Sequence, residues 1–131
     1  MTVKAKYNKV FLVDDNPMDN MVNSQLITSV GFAASPVSYE SGAETLEVLR
    51  KSDPSDLPEI IFLDIRMPGM DGFQFLEEYA KLGEAVTGKC KVILLSTSDT
   101  FQDLNRANKN KYVRRFLNKP LTEQMLAAIN L

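Results

Sequence analysis

The stretch that most constrains the fold is residues 60–72, IIFLDIRMPGMDG, where four consecutive apolar residues meet a carboxylate and the pattern then breaks at Pro68, Gly69 and Gly72. A short apolar run bounded by turn residues reads best as a strand covered on both faces, as in the middle of a parallel sheet. Asp64 then stands at that strand's carboxyl end, where open α/β sheets form their ligand crevice. Taken alone, it reads more readily as a turn or helix-capping aspartate. Its partners elsewhere in the chain decide between the two.

The same pattern recurs along the chain. Residues 10–13 (VFLV) form a first apolar run, ended by Asp14, Asp15, Asn16 and Pro17. Asn16 suits an N-cap and Pro17 the first helical position, where its missing N–H costs nothing. Met18, Val22, Leu26, Ile27 and Val30 follow at helical spacing, with Gly31 as a stop signal. A weaker strand is expected over residues 32–37. Ser41-Gly42-Ala43-Glu44 is a capping-box pattern opening a helix through Leu46, Val48, Leu49 and Arg50. Residues 52–58 read as a polar loop.

Beyond Gly72, the residues Phe73, Phe75, Leu76, Tyr79, Ala80 and Leu82 mark a third helix, and residues 83–91 a loop. A buried-type strand over residues 92–95 ends at Ser96. A helix carrying Phe101, Leu104 and Ala107 follows, capped by Ser98 or Asp99. A fifth strand at residues 113–117 leads to Asn118-Lys119-Pro120, and Thr122 caps a last helix with Met125, Leu126 and Ile129. Strand then helix, five times over, predicts an α/β fold with a parallel sheet and helices on both faces.

With 131 residues, 44% hydrophobic and 24% charged, the chain suits one globular domain with a single core. A net charge of −2 offers no electrostatic reason to expect nucleic acid or an anionic membrane. No apolar run approaches the roughly 20 residues of a membrane span, and the N-terminal lysines precede no signal-peptide core. A reducing, cytoplasmic location is therefore expected. The chain has no histidine and one cysteine, Cys90. That removes Ser-His-Asp and Cys-His chemistry, the usual zinc sites and an internal disulfide.

Parallel strands bring their carboxyl ends to one edge of the sheet. Asp14 and Asp15, Asp64, Ser96 and Lys119 follow four of the five strands and should converge there. Three crowded carboxylates repel at roughly 4 kcal/mol per pair 4 Å apart when the effective dielectric is near 20. Lys119 supplies one offsetting charge and a hard divalent cation the rest; Mg²⁺ fits, being held by few carboxylates plus water and a phosphoryl oxygen. Lys119 and the Ser96 hydroxyl suit phosphoryl binding, and Asp64 suits a nucleophile forming an aspartyl phosphate.

At these residues the sequence resembles the receiver domain of two-component response regulators. The matching motifs are VDDN (13–16), LDIRMPGMDG (63–72), LLSTS (94–98) and FLNKP (116–120), in the family's order over nearly the whole chain. The resemblance implies a three-layer, flavodoxin-like (βα)5 fold with strand order 2-1-3-4-5, and a single receiver domain over residues 1–131 without an output domain. It also implies phosphorylation of Asp64 by a phosphohistidine on a sensor histidine kinase or a histidine phosphotransfer protein. Mg²⁺ would be bound by Asp15, Asp64 and the backbone carbonyl of Arg66, with Asp14 assisting, and the phosphoryl group by Ser96 and Lys119. Ser96 and Phe116 match the family's switch pair, which would signal a downstream protein through the fourth helix, fifth strand and fifth helix. Homodimerisation is left open. Thr97 stands where the family often has alanine or glycine, and Arg66 occupies a variable position bordering the phosphoryl group.

Three competing functions are weighed against this one. A haloacid dehalogenase-type phosphatase is disfavoured because Asp14 and Asp15 are adjacent rather than spaced as D-x-D. A flavin site is disfavoured because the loop after the first strand is acidic. A receiver-like interaction module working without phosphate is the main alternative, and the intact acidic cluster, hydroxyl and lysine argue against it. The basic group Arg106, Lys109, Lys111, Arg114 and Arg115 reads as a solvated face or as a docking patch for an acidic partner.

Overall fold

The structure, a computed structural model, describes residues 5–97 and 100–131. Five strands, β1 (Tyr7–Val13), β2 (Ala33–Tyr39), β3 (Ile60–Leu63), β4 (Lys91–Ser96) and β5 (Val113–Asn118), form one parallel sheet in the order β2-β1-β3-β4-β5. The helices are α1 (Pro17–Ser29), α2 (Gly42–Lys51), α3 (Gly72–Ala80), α4 (Glu84–Thr87), α5 (Phe101–Lys109) and α6 (Glu123–Ala128). This is the expected flavodoxin-like arrangement.

Strand pleating divides the core in two. Phe11, Val13, Ile61, Leu63, Val92 and Leu94 point to one face, where they pack with Leu46 and Leu49 of α2, Phe75 and Tyr79 of α3, and Ala107 of α5. Val10, Leu12, Ile60, Phe62, Ile93 and Leu95 point to the other, against Ile27 of α1 and Leu126 of α6. All four residues of β3 are buried, as a strand covered on both sides requires. The register sets Val13 opposite Leu63, and Leu63 opposite Leu94. Residues following β1, β3 and β4 therefore emerge side by side.

The structure departs from expectation at several places. The 83–91 loop contains the single-turn helix α4, started at Gly83 (φ 90°), and the 52–58 loop a 3-10 turn at Pro54–Asp56. Consequently the fourth and fifth helices of the sequence reading are α5 and α6. β2 runs on to Tyr39, because as an edge strand it tolerates Pro36 and stays paired with β1 up to Val13. Ser41 accepts from the Glu44 N–H at 3.1 Å, as expected of its half of a capping box. The complete reciprocal box is at Asp71 and Gln74, which begin α3. Ser98 and Asp99 lie outside the described residues; the side-chain cap seen on α5 is Thr100, which accepts from the Asp103 N–H.

The largest departure is the inner face of α1. Met18, Met21 and Val22 are each more than half exposed, whereas Asn20, Asn23 and Ile27 are buried. The cause is position. The Asn20 side-chain amide donates to the carbonyls of Asp14 (2.9 Å) and Tyr39 (3.3 Å), the residues that end the β1 and β2 ladder. The first half of α1 thus covers the polar rim of the sheet, and only the second half reaches its apolar face.

Candidate functional site

The backbone at the carboxyl edge is fixed before any side chain is considered. The Asp14 N–H donates to the Tyr39 carbonyl (3.1 Å) and the Asp64 N–H to the Val13 carbonyl (2.9 Å), so both aspartates continue the strand ladder by one residue. Gly72 then returns the chain against this loop, its N–H donating to the Ile65 carbonyl (2.9 Å). A Cβ at position 72 would lie 2.8 Å from the Asp64 carbonyl oxygen and 2.9 Å from Ile65 Cα, so backbone packs directly on backbone there. Only glycine permits that approach.

Carboxylate oxygens of Asp14, Asp15 and Asp64 lie within 4.8 Å of one another. Asp14 and Asp64 are buried and Asp15 is exposed, so the cluster opens to solvent on the Asp15 side. Lys119, from the end of β5, reaches into it: its Nζ lies 2.5 Å from Asp14 Oδ2 and 3.8 Å from Asp64 Oδ2. The third partner of Lys119 is Asp19 Oδ2, on α1, at 3.0 Å. Sequence reading missed Asp19. The available signal was its place in the first turn of a helix that follows the Asp14-Asp15 doublet.

The electrostatics follow from this crowding. Burial pushes the Asp64 carboxyl up to about 6; Lys119 works against that rise, Asp14 and Asp15 add to it, and the Arg66 backbone N–H opposes it. Burial alone would lower the Lys119 pKa. Its hydrogen bonds to Asp14 and Asp19, together with Asp64 nearby, outweigh burial and hold the ammonium above its ordinary range.

The other expected residues fall around this centre. Ser96 is fully buried at the end of β4, and its carbonyl accepts from the Lys119 N–H (2.9 Å). Thr97 is exposed beside it. The Arg66 guanidinium turns outward to Asp103 on α5 (2.7 Å). Phe116 is half-buried, packed against the cluster beneath α2 and α3. Of the basic group, Arg106 stacks over Phe73 at 4.0 Å and Lys111 over Tyr112 at 5.2 Å, so both rest on aromatic rings. Among the described residues no helix is long and apolar enough to cross a membrane.

The arrangement places a desolvated carboxylate next to a fixed ammonium, with two further carboxylates at its side. All three carboxylates offer only oxygen, and no nitrogen or sulfur ligand belongs to the cluster. Such a donor set suits a hard divalent cation.

Comparison with known proteins points the same way. Residues 10–130 match the family model described as "Response regulator receiver domain". The chain is 28% identical over 128 residues to the sensor histidine kinase GacS of Pseudomonas protegens; that alignment covers 98% of this chain and 13% of GacS. It is 27% identical to the protein PilH of Pseudomonas aeruginosa, covering 90% of each. Among solved structures, the response regulator receiver protein of Dyadobacter fermentans superposes with a TM-score of 0.83 at 28% identity, covering 91% of both chains.

Proposed function

Because the chain belongs to the response regulator receiver domain family of two-component signalling, we propose that Asp64 accepts a phosphoryl group from a phosphohistidine on a sensor histidine kinase or a histidine phosphotransfer protein. The observation that carries this reading is the meeting of Asp14, Asp15 and Asp64 within 4.8 Å, with the Lys119 ammonium 3.8 Å from Asp64.

A carboxylate oxygen of Asp64 attacks phosphorus, the phosphorus–nitrogen bond breaks, and its electron pair stays on the donor imidazole. Lys119 neutralises charge on the transferring group as a point charge, and the Ser96 hydroxyl donates to another of its oxygens. Mg²⁺, when bound, supplies charge neutralisation across the carboxylates and the phosphoryl oxygens. Asp14, Asp15, Asp64 and the Arg66 carbonyl are the residues that would hold it. The donor protein docks over the exposed Met18, Met21 and Val22 of α1, the helix that follows the Asp14-Asp15 doublet.

Ser96 moves toward the phosphoryl group and Phe116 turns inward behind it, altering the surface of α5, β5 and α6 that a downstream protein reads. A cytoplasmic location accompanies this reading, since the phosphohistidine donors are found there. The test is intact-mass measurement after incubation with Mg²⁺ and phosphoramidate. Wild type should gain one phosphate and Asp64→Asn none; equal labelling of both would refute the assignment. Partner binding that ignores Asp64→Ala would favour the interaction-module alternative.

A further inference from the structure

We propose that Asp19 is a positioning residue that holds the Lys119 ammonium back from the phosphoacceptor and has to release it before the phosphoryl group can be gripped. This rests on the assignment of Asp64 as phosphoacceptor.

The argument begins with the geometry of one cation among competing anions. Lys119 carries three N–H donors. Two are engaged at hydrogen-bond distance, by Asp14 Oδ2 (2.5 Å) and Asp19 Oδ2 (3.0 Å), while Asp64 Oδ2 at 3.8 Å is beyond that range. The ammonium therefore stands closer to the side wall of the site than to the group it is to serve. A cation bound by Asp14, Asp15 and Asp64 would repel the ammonium from Asp14. Asp19, which lies outside the three-carboxylate cluster, would then be the remaining anion in contact with it.

Asp19 is itself well fixed. It sits in the first turn of α1, where Asn16 Oδ1 accepts from its backbone N–H (3.3 Å), and its side chain is only partly exposed. It also borders the groove that runs from Lys119 past Val22 and Asn23 to Leu121. A donor protein lying along α1 over Met18 and Val22 would also reach Asp19, which lines the groove beside Val22. Displacing the Asp19–Lys119 contact would then free the ammonium at the moment the phosphoryl group arrives. Small donors make no such contact and have to work against it.

The experiment follows Asp64 phosphorylation by intact mass, with Mg²⁺ and either phosphoramidate or acetyl phosphate. It compares wild type, Asp19→Asn and Asp19→Glu, each with and without Lys119→Gln. Asp19→Asn should speed phosphorylation about threefold to fivefold, the scale of one partly exposed ion pair. Asp19→Glu should stay near wild type, and the gain should vanish in the Lys119→Gln background.

A gain that survives Lys119→Gln would mean that Asp19 merely repels anionic donors, and the proposal would fall. Should Lys119→Gln take up phosphate too slowly to measure, the two donors decide. Equal gains with both support positioning, whereas a larger gain with the more negatively charged acetyl phosphate indicates repulsion and overturns it. No change, or slower phosphorylation, in Asp19→Asn also overturns it. In each of these failures wild type still labels and Asp64→Asn does not, so the phosphoacceptor assignment survives separately.

Discussion

Helices α1 and α3 cover opposite faces of the same sheet and obey different rules. α3 buries Phe73, Phe75, Leu76 and Tyr79 and begins with a full capping box, so its apolar period and its inner face coincide. α1 buries Asn20 and Asn23 and turns Met18, Met21 and Val22 outward. The contrast shows that an inner face is defined by what lies beneath it. Beneath α3 is the apolar surface of β3 and β4. Beneath the start of α1 are strand-end carbonyls and the acidic cluster, and these need donors rather than methyl groups.

Several substitutions would break or sharpen that contrast. The largest effect is expected on the orthodox side: Phe75→Ala, at a fully buried position, should cost about 3–5 kcal/mol in urea unfolding. A loss below about 1 kcal/mol would mean that α3 is not anchored as described.

Next comes the rim that α1 serves. Asp64 has a folded pKa of about 6 against an ordinary 3.8, so the folded state holds that proton more tightly than the unfolded chain does. The stabilisation from protonation is complete below the ordinary value and is lost as pH rises through about 6. Asp64→Asn removes the buried charge, and should therefore be more stable than wild type by up to about 3 kcal/mol at pH 7 without divalent cations. The advantage should shrink as pH falls from about 6 toward 4, and also on adding Mg²⁺. Thermal melts at pH 4, 6 and 7.5 test this; an Asn variant less stable than wild type at the highest pH would contradict it.

Asn20→Ala deprives two carbonyls of their shared donor and should cost about 1–2 kcal/mol, whereas a polarity rule alone predicts a gain from placing alanine at a buried helix position. The smallest effect belongs to Met21→Ala. More than half exposed, it should change stability by less than about 0.5 kcal/mol while weakening transfer from a phosphohistidine donor protein. Unchanged transfer would remove α1 from the proposed docking face.

The sheet and most of the site could be read before any coordinates. Each buried run ends on a turn residue, and parallel pairing leaves the strand ends no choice but to converge. That Asp14, Asp15, Asp64, Ser96 and Lys119 come to one edge of the sheet is legible for that reason. The inner face of α1 was not, because hydrophobic periodicity records where apolar residues recur and cannot register that a sheet's rim demands amides. Asp19 escaped notice on similar grounds: an acid in a first helical turn is already accounted for by the helix dipole, so nothing in the string assigns it to Lys119. The turns that became α4 and the 3-10 segment are too short to carry a period at all.

The backbone bond from the Lys119 N–H to the Ser96 carbonyl carries a mechanical consequence. It ties the tips of β4 and β5 together, so a displacement of one backbone tip is passed to the other. Substitutions at the two tips should therefore be non-additive, each altering the footing of the other.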